Sequence, residues 1–167
     1  MKKKTIFIIL SIILIAVLAY LLFFRWVIIF DYASFRNHKA EWIKKDLTDY
    51  SYEYSFGCGE GWGRYGVIVE NKKVVSVEDL LKDGAAGQLE NDYYSIENVF
   101  NRLKDEYISG KNNRFRDRDD CVLRSIEVEY NSEYFFPTHY SANYVCPDSV
   151  ADGGGCSHAV SNFKVIN

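Results

Sequence analysis

Three histidines and four cysteines are the side chains of this 167-residue chain whose types most invite chemistry. His38, His139 and His158 fall on three different elements. Each stands alone near Ser or Asp, where a histidine is more often structural or solvent-exposed than a general base. His158 lies two residues after Cys156, with Cys146 earlier, and a zinc site could be drawn from the three. Zinc sites, however, usually bring cysteines as close pairs, two to four residues apart. Here nine residues separate Cys146 from Cys156, and no fourth ligand is evident. The intervening segment, "CPDSVADGGGC", carries Asp148 and Asp152. It lacks the carboxylate ladder and closing glutamate of a calcium loop, so a disulfide-closed excursion is the better reading. No phosphate-cradling glycine loop, Gly-x-Ser-x-Gly elbow or zincin helix is present. No catalytic, cofactor-binding or metal residue is therefore assigned, and no cofactor is expected.

The cysteines read as structural. Cys58, Cys121, Cys146 and Cys156 are even in number, and disulfides form and persist outside the cytosol. Two bridges allow three pairings. The pairing favoured here is Cys146–Cys156, closing one loop, with Cys58–Cys121 tying two strands. Loop-closure entropy would give these roughly 3 and 4 kcal/mol.

The chain opens Met1-Lys2-Lys3-Lys4 and then runs uncharged from Thr5 to Phe24. Twenty residues at helical rise cover about 30 Å, the thickness of a bilayer core. Val17-Leu18-Ala19 fits a cleavage signal loosely. Cleavage there would leave a largely apolar new terminus, so an uncleaved signal anchor is the preferred reading. No cysteine lies near enough for lipid attachment. Positive charge flanks both sides, so the positive-inside rule does not decide orientation. The Lys-rich start and the cysteines favour a cytoplasmic amino end. The expectation is a single-pass protein of a bacterial-type inner membrane. Residues 1–30 form a cytoplasmic stub and transmembrane anchor, 31–48 a juxtamembrane helix, and 49–167 an extracytoplasmic (periplasmic) α+β domain. Residues 31–167 hold all 23 carboxylates but only 16 of the 20 Lys and Arg, since Lys2, Lys3, Lys4 and Arg25 precede them, a net charge of −7. An acidic domain without a basic stripe argues against nucleic acid.

The elements follow from periodicity. Ala33–Leu47 reads as a helix with Phe35, Trp42 and Ile43 on one face, and as a spacer packing Trp42 on the domain. Tyr50, Tyr52, Tyr54 and Phe56 alternate with Ser51, Glu53 and Ser55, a half-buried strand. Arg64–Glu70 and Val74–Val77 form a hairpin around Asn71-Lys72-Lys73. Ser76 to Asp79 has the shape of a helix start. Asp83–Asn91 and Asn112–Asp120 read as loops. Ile96, Val99, Phe100, Leu103 and Tyr107 form one helical stripe, capped by Ser95 and ended by Gly110. Cys121–Tyr130 places Val122, Ile126, Val128 and Tyr130 on one parity. Phe136–Asn143 is a strand whose Pro137 implies an edge or a strand start, and Ala159–Ile166 is the last strand. The fold class is α+β: an antiparallel sheet of about five or six strands with one main helix packed on it, plus the N-terminal transmembrane helix.

Four phrases, in order, resemble an uncharacterised bacterial family of secreted proteins and lipoproteins, domain of unknown function 6174. They are "WIKKDLTDYSYEYSFGCG", "GVIVENKKVVSV", "YYSIENVFNRL" and "VEYNSEYFFPTHY". The matching residues are Trp42, Tyr50, Tyr52, Cys58, Val67, Val69, Ile96, Phe100, Tyr130, Pro137 and Thr138, and the likeness covers about 42–166. Members often carry a second cysteine just after the first, where this chain has glycine or Glu60. That departure implies a distant partner for Cys58, such as Cys121. Phe135 stands where the family pattern has glycine before its aromatic-Pro pair. The resemblance implies location and fold but no mechanism.

The stretch "SFGCGEGWGRYG", residues 55–66, poses the sharpest question. Trp62 is expected to plug the core edge; if it is exposed instead, Trp62 and Tyr65 become the candidate partner-binding residues. The leading functional expectation is a non-enzymatic, membrane-anchored domain that binds a protein or peptide of the cell envelope and meets the lipid bilayer through its N-terminal helix. The alternatives are an enzyme or metal domain assembled from His139, His158, Asp148 and Asp152, or a purely structural tethered module.

Overall fold

The computed structural model describes residues 11–19, 28–58, 61–81, 91–112, 121–146 and 155–166. Residues 11–19 are helical (α1). They are followed by α2 (Tyr32–Lys45), β1 (Tyr50–Cys58), β2 (Gly61–Glu70), β3 (Lys73–Asp79), a 3-10 turn (Asn91–Tyr94), α3 (Ile96–Asn112), β4 (Val122–Tyr130), β5 (Pro137–Val145) and β6 (Cys156–Val165). The predicted anchor, 5–24, lies largely outside the described residues. Among those described, no helix is long and apolar enough to cross a membrane.

The six strands form one antiparallel sheet in the order β3-β2-β1-β6-β5-β4. The final strand is thus inserted between the first and fifth, joining the two halves of the chain. The alternation in β1 is realised as expected: Tyr50, Tyr52 and Tyr54 are buried under the helices, while Ser51, Glu53 and Ser55 face the other side. On the inner face they meet Tyr65, Val67 and Val69 of β2 and Val160 of β6. Both strands of the first hairpin run to its tip, with Gly57 opposite Trp62 and Cys58 opposite Gly61. β1 extends past Phe56 and β2 begins before Arg64, where alternation alone would end them, because the glycines pair within the ladder.

The helical stripe of α3 is buried at Ile96, Val99, Phe100 and Leu103. The first turn is capped as expected, Asn98 N–H donating to Ser95 Oγ at 3.2 Å. Gly110 does not end the helix, which continues to Asn112. Its role is close packing: a Cβ there would sit 2.4 Å from Leu123 Cδ2 and 3.1 Å from Ile28 Cδ1. α2 belongs to the same core through Phe35 and Trp42. Trp42 Nε1 donates to Glu97 Oε1 at 3.1 Å, tying α2 to α3. Ile43, expected on the buried face, is 62% exposed.

Three further expectations are corrected. Ser76–Asp79 continues β3 rather than starting a helix. In β4 an irregularity between Leu123 and Ser125 breaks the predicted single parity, so Leu123 and Ile126 are both buried while Val122 is exposed. In β6, which begins at Cys156 rather than Ala159, Asn162 takes φ 52° beside a register shift against β1. That bulge turns Phe163 inward against Tyr50, Trp42 and Phe136. Pro137 is the first residue of β5, as its missing N–H requires.

The disulfide pairing is also corrected. Cys121 bonds Cys146, with Cα atoms 4.1 Å apart. This closes the β4–β5 hairpin one step beyond the opposed pair Val122 and Val145. Cys156 is disulfide-bonded as well, and Cys58 stands directly opposite it in the β1–β6 ladder. Cys146 and Cys156 cannot be near neighbours, because β6 pairs Cys156 with Ala142, four residues short of Cys146.

Candidate functional site

The densest group of titratable side chains lies between α3 and the sheet. β1 supplies Tyr54, β6 His158, β5 Tyr140, α3 Arg102, and the 3-10 turn Tyr93. The guanidinium of Arg102 donates to Tyr54 Oη at 2.9 Å and to the Tyr93 carbonyl, and lies over the Tyr93 ring, 4.0 Å from its centre. Tyr54 Oη in turn meets His158 Nδ1 at 2.6 Å. With its lone pair facing Arg102, the Tyr54 hydroxyl donates to a neutral His158. Tyr140 stacks on the other side of His158, ring centres 4.3 Å apart. Burial, then the Arg102 charge and then His139, push His158 down to a pKa of about 3. Burial raises Tyr54 despite the opposing Arg102 charge. Arg102 Nε and Tyr140 Oη are buried without a well-formed hydrogen bond among the described residues.

This arrangement can orient a core, and it is enclosed among the described residues: Tyr54 is fully buried and His158 nearly so. His139 lies on the opposite face of the sheet, since Tyr140, its neighbour along β5, is the residue aligned with His158. The two histidines of the alternative enzyme reading therefore do not converge, and Asp148 and Asp152 lie outside the described residues. His38 is held in α2 by the Ser34 carbonyl at 2.8 Å and stacks on Tyr130 at 3.8 Å. Among the described residues, no three His, Cys, Asp or Glu side chains gather as metal ligands would.

A cleft of about 150 Å³ opens beside the Cys121–Cys146 bridge, lined by Glu106, Ser109, Val122, Leu123 and Tyr144. Tyr144 donates to Glu106 Oε1 at 2.6 Å across it.

The remaining surface is the outer face of the sheet. Both α2 and α3 pack on the inner face, and among the described residues no helix covers the outer one. Its centre is small and polar: Ser51, Ser55 and Gly57 of β1, Ser157, Ala159 and Ser161 of β6, and Ser141 of β5. Arg64 and Asn162 both bond Glu53 there, at 2.9 and 2.8 Å. Trp62 rises from this face 61% exposed, so it is not the expected plug. Tyr65 is 2% exposed, packed on Tyr94 and Phe56, and belongs to the core rather than to a binding surface. Only parity separates them: Trp62 faces out opposite Gly57, and Tyr65 faces in opposite Tyr54. Gly63 gives Tyr65 its room, since a Cβ there would meet that ring at 2.7 Å.

The turn before β5 bears on the family likeness. Phe135 has φ 68°, the left-handed region that favours glycine. The turn thus keeps the conformation that a glycine would take, and the Phe135 ring lies beneath the Lys45 ammonium, 5.4 Å away.

No curated protein and no solved structure matches the chain. A family profile does match it, over residues 34–165, from the first turn of α2 to the end of β6. The chain belongs to that family, the family of unknown function DUF6174.

Proposed function

We propose that the chain is a membrane-tethered domain of the cell envelope that binds a protein or peptide on the outer face of its sheet and carries out no reaction of its own. One observation carries this reading: the linked Tyr54, His158 and Arg102 side chains are enclosed in the core, while among the described residues no helix covers the outer face of the sheet. Tethering is supported by the uncharged run Thr5–Phe24, long enough to span a bilayer. An extracytoplasmic position is supported by the Cys121–Cys146 bridge and the bonded Cys156. A photo-crosslinking residue at Ser141 or Ser157, in cells, is expected to capture a discrete neighbour identifiable by mass spectrometry. The same probe at Lys44 of α2 should not capture it. Equal capture from both positions, or none, defeats the reading. A C-terminal phosphatase fusion tests topology separately, and an inactive fusion would place the domain inside.

A further inference from the structure

The two edges of the sheet are treated differently. β3 forms one edge, whereas β4, at the other, is paired by the chain's own N-terminal segment. Ile29 bridges in parallel to Ser125, with Ile29 N–H donating to the Arg124 carbonyl and Ile126 N–H to the Ile29 carbonyl, both at 3.0 Å. A parallel bridge fixes direction. Residues 28–30 run the same way as β4, and the bridged Ser125 lies three residues from Val122 but five from Tyr130. Ile28 is buried against Gly110, which pins this point to the domain.

Length then limits where the apolar run can end. Phe24 lies five residues before Ile29, a reach of at most ~17 Å. The three steps from Ser125 to Val122 take up ~10 Å of it. The Val122 end of the sheet is therefore within reach of the run, whereas Tyr130, about 17 Å from Ser125, is at its limit.

That same end of the sheet exposes apolar side chains. Val122 and Val145 are directly opposed, and Val145 is 60% exposed. Ala142, Cys156, Cys58 and Gly61 share one row of the ladders, with Trp62 one residue from that row and Val145 three beyond it. Trp62, Val122 and Val145 all project from the outer face. Trp62 and Val145 are separated by three strand spacings and about four residues, on the order of 20 Å. That is too wide for one small ligand and suits a flat occupant. Ile43, Val165 and Ile166 are exposed at the opposite end, farther from the bridge at Ser125.

We infer that the end of the sheet bearing Trp62, Val122 and Val145 rests on the lipid bilayer surface, with the Trp62 ring at headgroup level. An amphipathic indole is suited to that depth. For Trp62 and Val145 both to reach the bilayer, the strands meet it at about 45°, and the outer face beyond the line joining them, with Ser141 and Ser157, remains open to a partner. The inference rests on residues 5–24 being the membrane span.

The test uses the full chain carrying Trp26→Phe, reconstituted into vesicles of equal parts phosphatidylcholine and phosphatidylglycerol, so that only Trp42 and Trp62 report. Replacing the phosphatidylcholine with lipid brominated near the headgroup is expected to quench the Trp62 part of the tryptophan emission. Adding Trp62→Phe should abolish that quenching, because Trp42 is buried in the core. A chain that floats with the vesicles but is quenched equally with and without Trp62 stands clear of the lipid; that overturns the inference and leaves the tether intact. A chain that does not float at all removes the tether, and the inference with it.

Discussion

His158 gives the clearest case of a residue whose role follows from its surroundings. Its folded pKa of about 3 lies below the ordinary 6.5, so between those values the unfolded chain takes up a proton that the native one refuses. The His158 contribution to stability is therefore fully present above pH 6.5 and is lost as pH falls toward 3. By pH 4 the loss is expected to reach on the order of 3 kcal/mol. Urea titrations of the parent and His158→Gln should show it as an acid slope that the variant lacks; equal slopes would mean that His158 is not held neutral. Tyr54→Phe should cost about 2–3 kcal/mol, because Arg102 and the His158 Nδ1 atom both lose the hydroxyl they share in the core. A shifted denaturation midpoint at unchanged m-value checks this. The burial of Tyr54 was legible, since period-two spacing marks one face of a strand. The burial of His158 was not, because the apolar alternation of the last strand starts only at Ala159 while the strand itself starts at Cys156. Nothing in spacing could link residues 54, 102 and 158: Arg102 sits among the polar residues of α3 and reaches the core only through its long stem.

At the scale of elements, the stripes were legible and the irregularities were not. The α3 stripe and the Tyr strand stand where alternation places them, because a long regular pattern has one way to be buried. The bulges at Arg124 and Asn162 shift parity by one residue, and a pattern read at fixed period cannot register that. Gly110 shows how one residue type supports opposite readings. In sequence a glycine near a helix end is a terminator; in the fold it is the notch that admits Leu123 and Ile28. Gly110→Ala tests the difference. Propensity alone would raise stability by up to about 1 kcal/mol, whereas the 2.4 Å clash with Leu123 predicts a net loss of about 1–3 kcal/mol. The N-terminal segment is a second test. Ile28 lies ahead of the matched family region yet is buried in the core, so Ile28→Ala should cost about 2 kcal/mol in chemical denaturation. No loss would mean that residues 28–30 do not hold the β4 edge.

For the whole molecule, the cysteines show how topology overrides proximity in sequence. Joining Cys146 to Cys156 is attractive when only the length of the closed loop is weighed. The sheet order removes that option, because insertion of β6 between β1 and β5 aligns Cys156 with Ala142 on one side and Cys58 on the other. Cys146 is carried about 13 Å further along β5, to where the β4–β5 hairpin presents Cys121. A peptide map under non-reducing conditions should therefore join Cys121 to Cys146 and Cys58 to Cys156, each bridge tying two adjacent strands at the same end of the sheet. In the loop-entropy model the 25-residue separation of the first is worth ~3 kcal/mol. Both bridges lie at the end of the sheet proposed to meet the membrane, so pairing chemistry and the proposed position are tested together. Alkylating intact cells with a thiol reagent before any reduction is expected to label none of the four cysteines. Labelling of Cys121 and Cys146 in a folded chain would place the domain in the reducing cytosol, and the proposed orientation would fall with it.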